Sequence, residues 1–157
     1  MIVEYPHEIL STECVDVEPI EGSVSPWDTD TIELAKEMLK ELNLSGGVGL
    51  AAPQIGSNKR IIVVDQFAGS EKSNPRVMIN PRITKFSNKI EPAIEACLSL
   101  PGRKFVVHRA KSIWLTFTDS SGVEQKSFMN GYEARIVQHE IDHLNGKTIA
   151  QSGREIV

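Results

Sequence analysis

Cysteine is scarce: Cys14 and Cys97 are the only two in 157 residues, too few for a disulfide framework, so a reduced setting is the expectation. Aromatic residues make up only 6% of the chain, and no apolar run approaches the roughly 20 residues that a bilayer crossing needs. Basic charge is not in excess. Seventeen Lys and Arg stand against 21 Asp and Glu, giving a net charge of −4, and no basic stripe supports a nucleic-acid partner. The opening residues, MIVEYPHEIL, carry Glu4 and Glu8 where a secretory leader would want Lys or Arg and then an unbroken apolar stretch. The expected localisation is therefore cytoplasmic, with no membrane contact. There is no internal repeat and no low-complexity tract, and the length suits one domain over residues 1–157, expected as a monomer.

What the chain does contain is concentrated in Tyr132 to Gly146, YEARIVQHEIDHLNG. Ala134, Val137, Ile141 and Leu144 recur at three- and four-residue steps, Asn130-Gly131 punctuates the start and Gly146 offers a stop, which together predict an amphipathic helix. On such a helix His139 and His143 share one face, so both imidazoles can grip one metal ion, with Glu140 beside it as a proton carrier. H-E-x-x-H is short enough to arise by chance, so a third ligand decides the matter. Cys97, in EACLSLPG (95–102), would otherwise read as an inert core thiol. Beside a metal helix, its thiolate and the two imidazoles leave a fourth position open, as an activating metal requires.

Residues 1–28, broken by Pro6, Pro19, Gly22 and Pro26, read as an extended arm in which Cys14 and Trp27 pack and His7 is exposed. Asp28 to Leu44 reads as a helix capped by Asp30 with Glu33, burying Ile32, Ala35, Met38, Leu39 and Leu42. Gly47, Gly49 and Ala52 satisfy the dinucleotide pattern G-x-G-x-x-G/A, with Asp65 near the distance of a ribose ligand. That pattern must follow a strand and open a helix, whereas this one follows a helix and carries Pro53. A glycine-rich segment with close backbone approach to a substrate is the better reading, with Gln54 offering a neutral amide donor. Strands are expected at Ile61–Val64, Val77–Asn80, Ile83–Phe86 and Ser112–Thr118, the last turning through Asp119-Ser120-Ser121-Gly122 into Glu124–Phe128. Phe67 to Pro75 reads as a surface loop. The fold class is α+β: mostly antiparallel sheets packed around a central metal helix, with an N-terminal helix.

GVGLAAPQ (47–54), EACLS (95–99) and QHEIDH (138–143) together resemble the peptide deformylase family, whose motifs are G-x-G-L-A-A-x-Q, E-G-C-L-S and Q-H-E-x-D-H in that order. RIIVVD, the INP at 79–81 and the hairpin before the helix resemble it too. Ala96 departs from the family's Gly, and the chain after the helix is shorter than in many bacterial members, resembling organellar-like or phage-borne forms without the C-terminal helix that could dock on a ribosome. The resemblance implies a hydrolase that removes the formyl group from N-formylmethionine on a nascent chain and releases formate. Cys97, His139 and His143 would hold one divalent metal, Fe(II) by the family's preference, though Zn, Ni or Co suit the same donors. Glu140 would carry the proton, while the Gln54 amide and the Leu98 backbone N–H would stabilise the formyl oxygen. The peptide would lie along Val48, Gly49 and Ala96, with Tyr132, Arg135, Ile136 and Glu95 around the methionine side chain. Arg109 and Asp142 would pair as a brace for the helix, and His108 would be a plain strand residue. Two rivals remain: an H-E-x-x-H zinc peptidase using Glu155 as third ligand, and a noncatalytic binding module, motivated by Ala96.

Overall fold

In the computed structural model, which describes all residues 1–157, helix α2 (Tyr132–Leu144) lies between two antiparallel sheets. Its preceding residue, Gly131, has φ 66°, a conformation that glycine adopts without cost, and it lets the chain leave the last strand and enter the helix in one step. At the far end Asn145 caps the helix, its side-chain oxygen accepting from Arg60 Nη1 at 2.9 Å, and Gly146 follows at φ 76°.

The larger sheet has five strands: β1 (Gly49–Ala51), β2 (Ile61–Val64), β3 (Arg76–Phe86), β6 (Ser112–Thr118) and β7 (Glu124–Asn130), in spatial order β1-β2-β3-β6-β7. Because side chains alternate across a strand, Ile62 and Val64 point into the cluster around α2. Ile61 and Val63 point the other way, onto Met38 and Leu42 of helix α1 (Thr29–Ser45). Covered on both faces, β2 is apolar throughout and fully buried. Each such Ile or Leu, removed from water, contributes roughly 1.5–3 kcal/mol. On β6 only Ile113, Leu115 and Phe117 face inward, so the strand alternates as the sequence indicates.

The smaller sheet contains β4 (Ile90–Cys97), β5 (Leu100–Ala110) and β8 (Gly153–Glu155), in order β4-β5-β8. The four-residue helix α3 (Ile149–Ser152) leads into β8 and buries Ile149 against Cys97, Leu100, Phe105 and Val107.

Several sequence expectations need correction. The cap of α1 is Asp28, whose side chain accepts from Thr31 N at 2.8 Å, not Asp30; the helix starts two residues nearer Pro26 than the Asp30-Glu33 pairing suggests. The two strands expected on either side of Pro81 are one strand, β3, with a register irregularity between Ile79 and Arg82. There Asn80 adopts φ 53°, and its side chain bonds both N–H and C=O of Val17 at 2.8 Å. Gly49–Ala51 of the glycine-rich segment is an edge strand followed by a 3-10 turn at Ala52–Ile55, and Glu95–Cys97 lies inside β4. His7 is exposed as expected but has a local bond, its Nδ1 accepting from Ile9 N at 3.1 Å.

Candidate metal centre

Helix α2 turns one face toward the end of β4, and this brings His139 and His143 to Cys97. Their donor atoms lie within 4.8 Å of one another, and Cys97 Sγ is 3.3 Å from His143 Nε2. Cys97 gets there because β4 ends in a two-residue turn, Leu98-Ser99, that pairs Cys97 with Leu100 and directs the thiol inward.

His139 is fixed from behind. Its Nδ1 lies 2.8 Å from Glu95 Oε1, and since a carboxylate only accepts, Nδ1 carries a hydrogen, which leaves Nε2 as the nitrogen able to serve as a metal donor once its own proton is displaced. Glu95 is itself buried and held by Arg109, through Nε at 2.7 Å and Nη2 at 2.9 Å, and by Arg135 Nη1 at 2.6 Å. Arg109 also reaches Asp142 at 2.8 Å, the brace expected from the sequence. Burial would raise the Glu95 carboxyl, but its bonds to His139 and Arg109 outweigh that and hold it at about 2. Glu95 thus does more than wall a side-chain pocket: it anchors the ring of His139.

The electrostatics of the donor set fit a cation. Burial pulls His139 down, yet Glu140, Cys97 and Glu95 together push it up to about 10, so the surrounding groups favour a positive charge at this point. His143 goes the other way: burial, then His139 and Arg109, hold it neutral, with a lone pair available. One sulfur and two imidazoles suit a single divalent transition metal and leave a side open. Two buried polar atoms in this cluster have no hydrogen-bond partner, Glu140 Oε1 and His143 Nδ1.

A cavity of ≈ 510 Å³ opens onto the cluster. It is lined by Val48 and Gly49 of the β1 side, by Glu95, Ala96, Cys97 and Leu98 from β4 and its turn, by Gln54, and by Tyr132, Arg135, Ile136, His139 and Glu140 of α2. Twelve of the thirteen candidate site residues therefore line one cavity, from three separated segments, and the thirteenth, His143, touches Cys97 Sγ through its Nε2. Gln54 is almost fully buried; its Oε1 accepts from Ala51 N at 2.9 Å while Nε2 faces Ser99 Oγ at 3.2 Å and Cys97 Sγ at 3.6 Å. At Gly49 an added Cβ would sit 2.6 Å from Glu140 Oε2 and 2.9 Å from Ile136 Cγ2, so the strand passes the carboxylate as closely as only glycine can. Ala96 is not in the left-handed region, where Asn80 is the one non-glycine, and it faces outward from β4; the backbone there makes no demand for glycine.

Two contributors, and the anchoring role of a third, were not read from the sequence. Gln138, buried on α2, bonds both backbone groups of Ala110, through Oε1 at 3.2 Å and Nε2 at 2.8 Å, and ties the helix to the end of β5. Ser99 is fully buried against Gln54. Arg135 bonds Val107 O and Glu91 O besides Glu95, at 2.9 and 2.6 Å, so its head staples β4 and β5 while its stem lines the cavity. An unbroken Gln beside H-E-x-x-H was the one available signal.

Two other readings lose their residues. Glu155 lies on β8 in a bidentate pair with Arg103 at 2.8 Å, and Cys97 occupies the third-donor position that a peptidase reading gives to Glu155. Asp65 holds its own loop, accepting from Phe67 N, Ser73 Oγ and Asn74 N, and no helix follows the glycines beyond the four-residue 3-10 turn.

An H-E-x-x-H helix with a cysteine donor, set between antiparallel sheets, defines a protein built to hold one metal ion at the bottom of a groove. The family profile described as polypeptide deformylase matches residues 1–155. A peptide deformylase of a Picosynechococcus strain is 44% identical over 123 residues, 78% of this chain and 66% of that one. One from Prochlorococcus marinus strain NATL1A is 46% identical over 114 residues, 73% and 56%. The matched stretch thus spans less than two thirds of these relatives. Among solved structures, a peptide deformylase from Synechococcus elongatus in complex with actinonin superposes with a TM-score of 0.88 at 31% identity, covering 98% of this chain and 80% of that one. A probable peptide deformylase from Synechococcus phage S-SSM7 superposes with 0.83 at 36%, covering 97% and 98%. The chain belongs to the peptide deformylase family.

Proposed function

We propose that the chain, as one catalytic domain over residues 1–157, hydrolyses the formyl amide of N-formylmethionyl peptides. The observation that supports this best is the convergence of Cys97, His139 and His143 within 4.8 Å beside a buried, unpartnered Glu140 oxygen. Those three residues would hold a divalent metal, which when bound polarises a carbonyl and lowers the pKa of water toward neutrality. Every remaining step falls to the chain's own groups.

Burial raises the Glu140 carboxyl to about 7, against the pull of His139 and Arg109, so it can both accept and return a proton near neutral pH. It takes the proton from the attacking water and delivers it to the departing nitrogen. The Gln54 Nε2 group, which lies beside Cys97 Sγ, and the Leu98 N–H would donate to the formyl oxygen as it gains charge, and one such donor typically contributes about 10²-fold in rate. β1 and β4 are edge strands of their sheets, so a peptide can lie extended along Val48, Gly49 and Ala96. The methionine side chain then enters among Tyr132, Ile136, the Arg135 stem and Glu95.

Fe(II) is the metal we infer for the cell, with the chain acting as a monomer on nascent chains in the cytoplasm. The test is metal content together with formate release from a formyl-Met-Ala peptide, on protein purified without oxygen. One bound metal per chain and turnover lost on Cys97→Ala are expected; a metal-loaded chain releasing no formate would overturn the proposal and leave a noncatalytic binder. Iron is checked separately: activity should decay faster in air than under argon, because Fe(II) and the Cys97 thiolate both oxidise, and equal half-lives would exclude it.

A further inference from the structure

The two halves of the groove belong to different sheets. Gln54 follows β1 in the five-stranded sheet, whereas Cys97 ends β4 in the three-stranded one and Leu98-Ser99 form the turn after it, and the two sheets share no strand. No ladder of backbone bonds sets the distance from Gln54 to Cys97. On the cavity side the two turns meet through the Gln54 side chain, at 3.2 Å from Ser99 Oγ and 3.6 Å from Cys97 Sγ. The first is at the long end of the hydrogen-bond range and the second is a bond to a weak sulfur acceptor, so the side chain alone holds the two turns together only loosely.

Behind the cavity, the N-terminal arm closes the gap. Val3 N–H donates to Gln54 O at 2.7 Å, and Tyr5 N–H donates to Ser99 O at 2.8 Å. In an extended segment, N–H groups two residues apart point to the same edge, so one short stretch can clamp both carbonyls. Its side chains anchor it at both ends. Ile2 packs on the cluster that contains Leu50, Ala52 and Ile61, while Tyr5 packs on the cluster that contains Cys97 and Leu100. Further along, Cys14 N–H donates to Leu144 O at 2.8 Å, so the same arm also reaches the end of the metal helix.

We propose that Ile2–Tyr5 is a strap that sets the position of the Gln54 amide relative to Cys97, and through it the stabilisation of the developing oxyanion. Val3 and Tyr5 are positioning residues: neither lines the cavity, and each acts through a backbone carbonyl of a residue that does or that abuts one. The inference rests on the deformylase reading for its effect on rate, but its structural content does not.

The test compares Val3→Pro, which deletes one N–H donor, with Glu4→Pro, whose N–H makes no bond in this fold. Both are loaded with cobalt(II) and assayed on the formyl-Met-Ala peptide. Val3→Pro should lower kcat about tenfold, less than the 10²-fold of a deleted oxyanion donor because Gln54 is misplaced rather than absent. KM, the cobalt absorption spectrum and metal content should hold, and Glu4→Pro should match wild type. In a Gln54→Ala background Val3→Pro should cost nothing further. Unchanged kcat in Val3→Pro, an equal loss in Glu4→Pro, or the same tenfold loss on top of Gln54→Ala would each overturn the strap. If the wild type releases no formate, the deformylase reading fails and the strap is judged on the Gln54 side-chain amide alone. Its protons should then exchange with solvent about tenfold faster in Val3→Pro, and equal rates would end the proposal.

Discussion

Glu95 Oε1 stands 2.8 Å from His139 Nδ1, and the same carboxylate accepts from Arg109 twice and from Arg135 once. Four donors on two oxygens make it the pivot between the sheets and the metal helix. Glu95→Gln keeps the volume but replaces one acceptor oxygen with an NH₂ that must face guanidinium or imidazole donors. Metal affinity should fall 10–100-fold, the usual loss when the partner of a ligating histidine is removed. The metal-free protein should also lose about 3–5 kcal/mol, as when one member of a buried ion pair is deleted. Competition with a chromophoric chelator and urea unfolding measure the two; a variant that binds metal as tightly as wild type would show that His139 needs no anchor.

The same group predicts an acid limb. Its folded pKa of about 2 lies below the ordinary 4.5, so its stabilisation is complete above pH 4.5 and is lost as pH falls from 4.5 through 2. Two and a half units correspond to about 3 kcal/mol, and the side chain is only 7% exposed, so solvent screening takes little from it. Urea midpoints of metal-free protein should drop across that window and be flatter there in Glu95→Gln. Parallel curves would move the acid sensitivity to other carboxylates.

The two thiols should part company under an alkylating reagent. Cys14 is buried, and burial pushes its pKa to about 11 even against the nearby Arg60 charge, so little thiolate is present near neutrality. Cys97 lines the open cavity. Metal-loaded protein should resist modification, and a chelator should release one reactive thiol, Cys97, with Cys14 following only on unfolding. Mass spectrometry of the modified peptides decides it, and early labelling of Cys14 would contradict the packing described.

Much of this was legible because it obeys simple periods. The α2 stripe and the β6 alternation each follow one face against one core, the β2 run is apolar because both its faces are covered, and two of the three motifs carry all three metal donors. β4 was not legible for the converse reason. Ile90 and Ile94 face out while Glu95 faces in, because a buried carboxylate is needed behind His139 and the groove side tolerates apolar residues. Read by hydrophobicity, that strand is inside out, and only the guanidinium partners, 14 and 40 residues away in sequence, explain it. The kink at Asn80 was hidden similarly: its left-handed residue is held by Val17, a contact across 63 residues.

Gly49 and Gly47 belong to the same glycine-rich stretch, but their surroundings separate them. A Cβ on Gly49 would meet Glu140 Oε2 at 2.6 Å and Ile136 Cγ2 at 2.9 Å, whereas on Gly47 the tightest neighbour is Leu98 Cδ1 at 3.2 Å, the free end of a side chain that can turn aside. Gly49→Ala must therefore move β1, the helix or the carboxylate itself. Ile136 and Glu140 are both buried on the helix that carries the histidines, so the carboxylate is the part free to shift, into the cavity. A displacement near 1 Å in a proton-carrying group costs about 10²-fold in rate, and overpacking costs about 1–3 kcal/mol of stability. Gly49→Ala should accordingly lose about two orders of magnitude in formate release while still binding metal, and Gly47→Ala should stay within a few-fold of wild type. If the two variants behaved alike, the close approach of β1 to Glu140 would have no part in the chemistry.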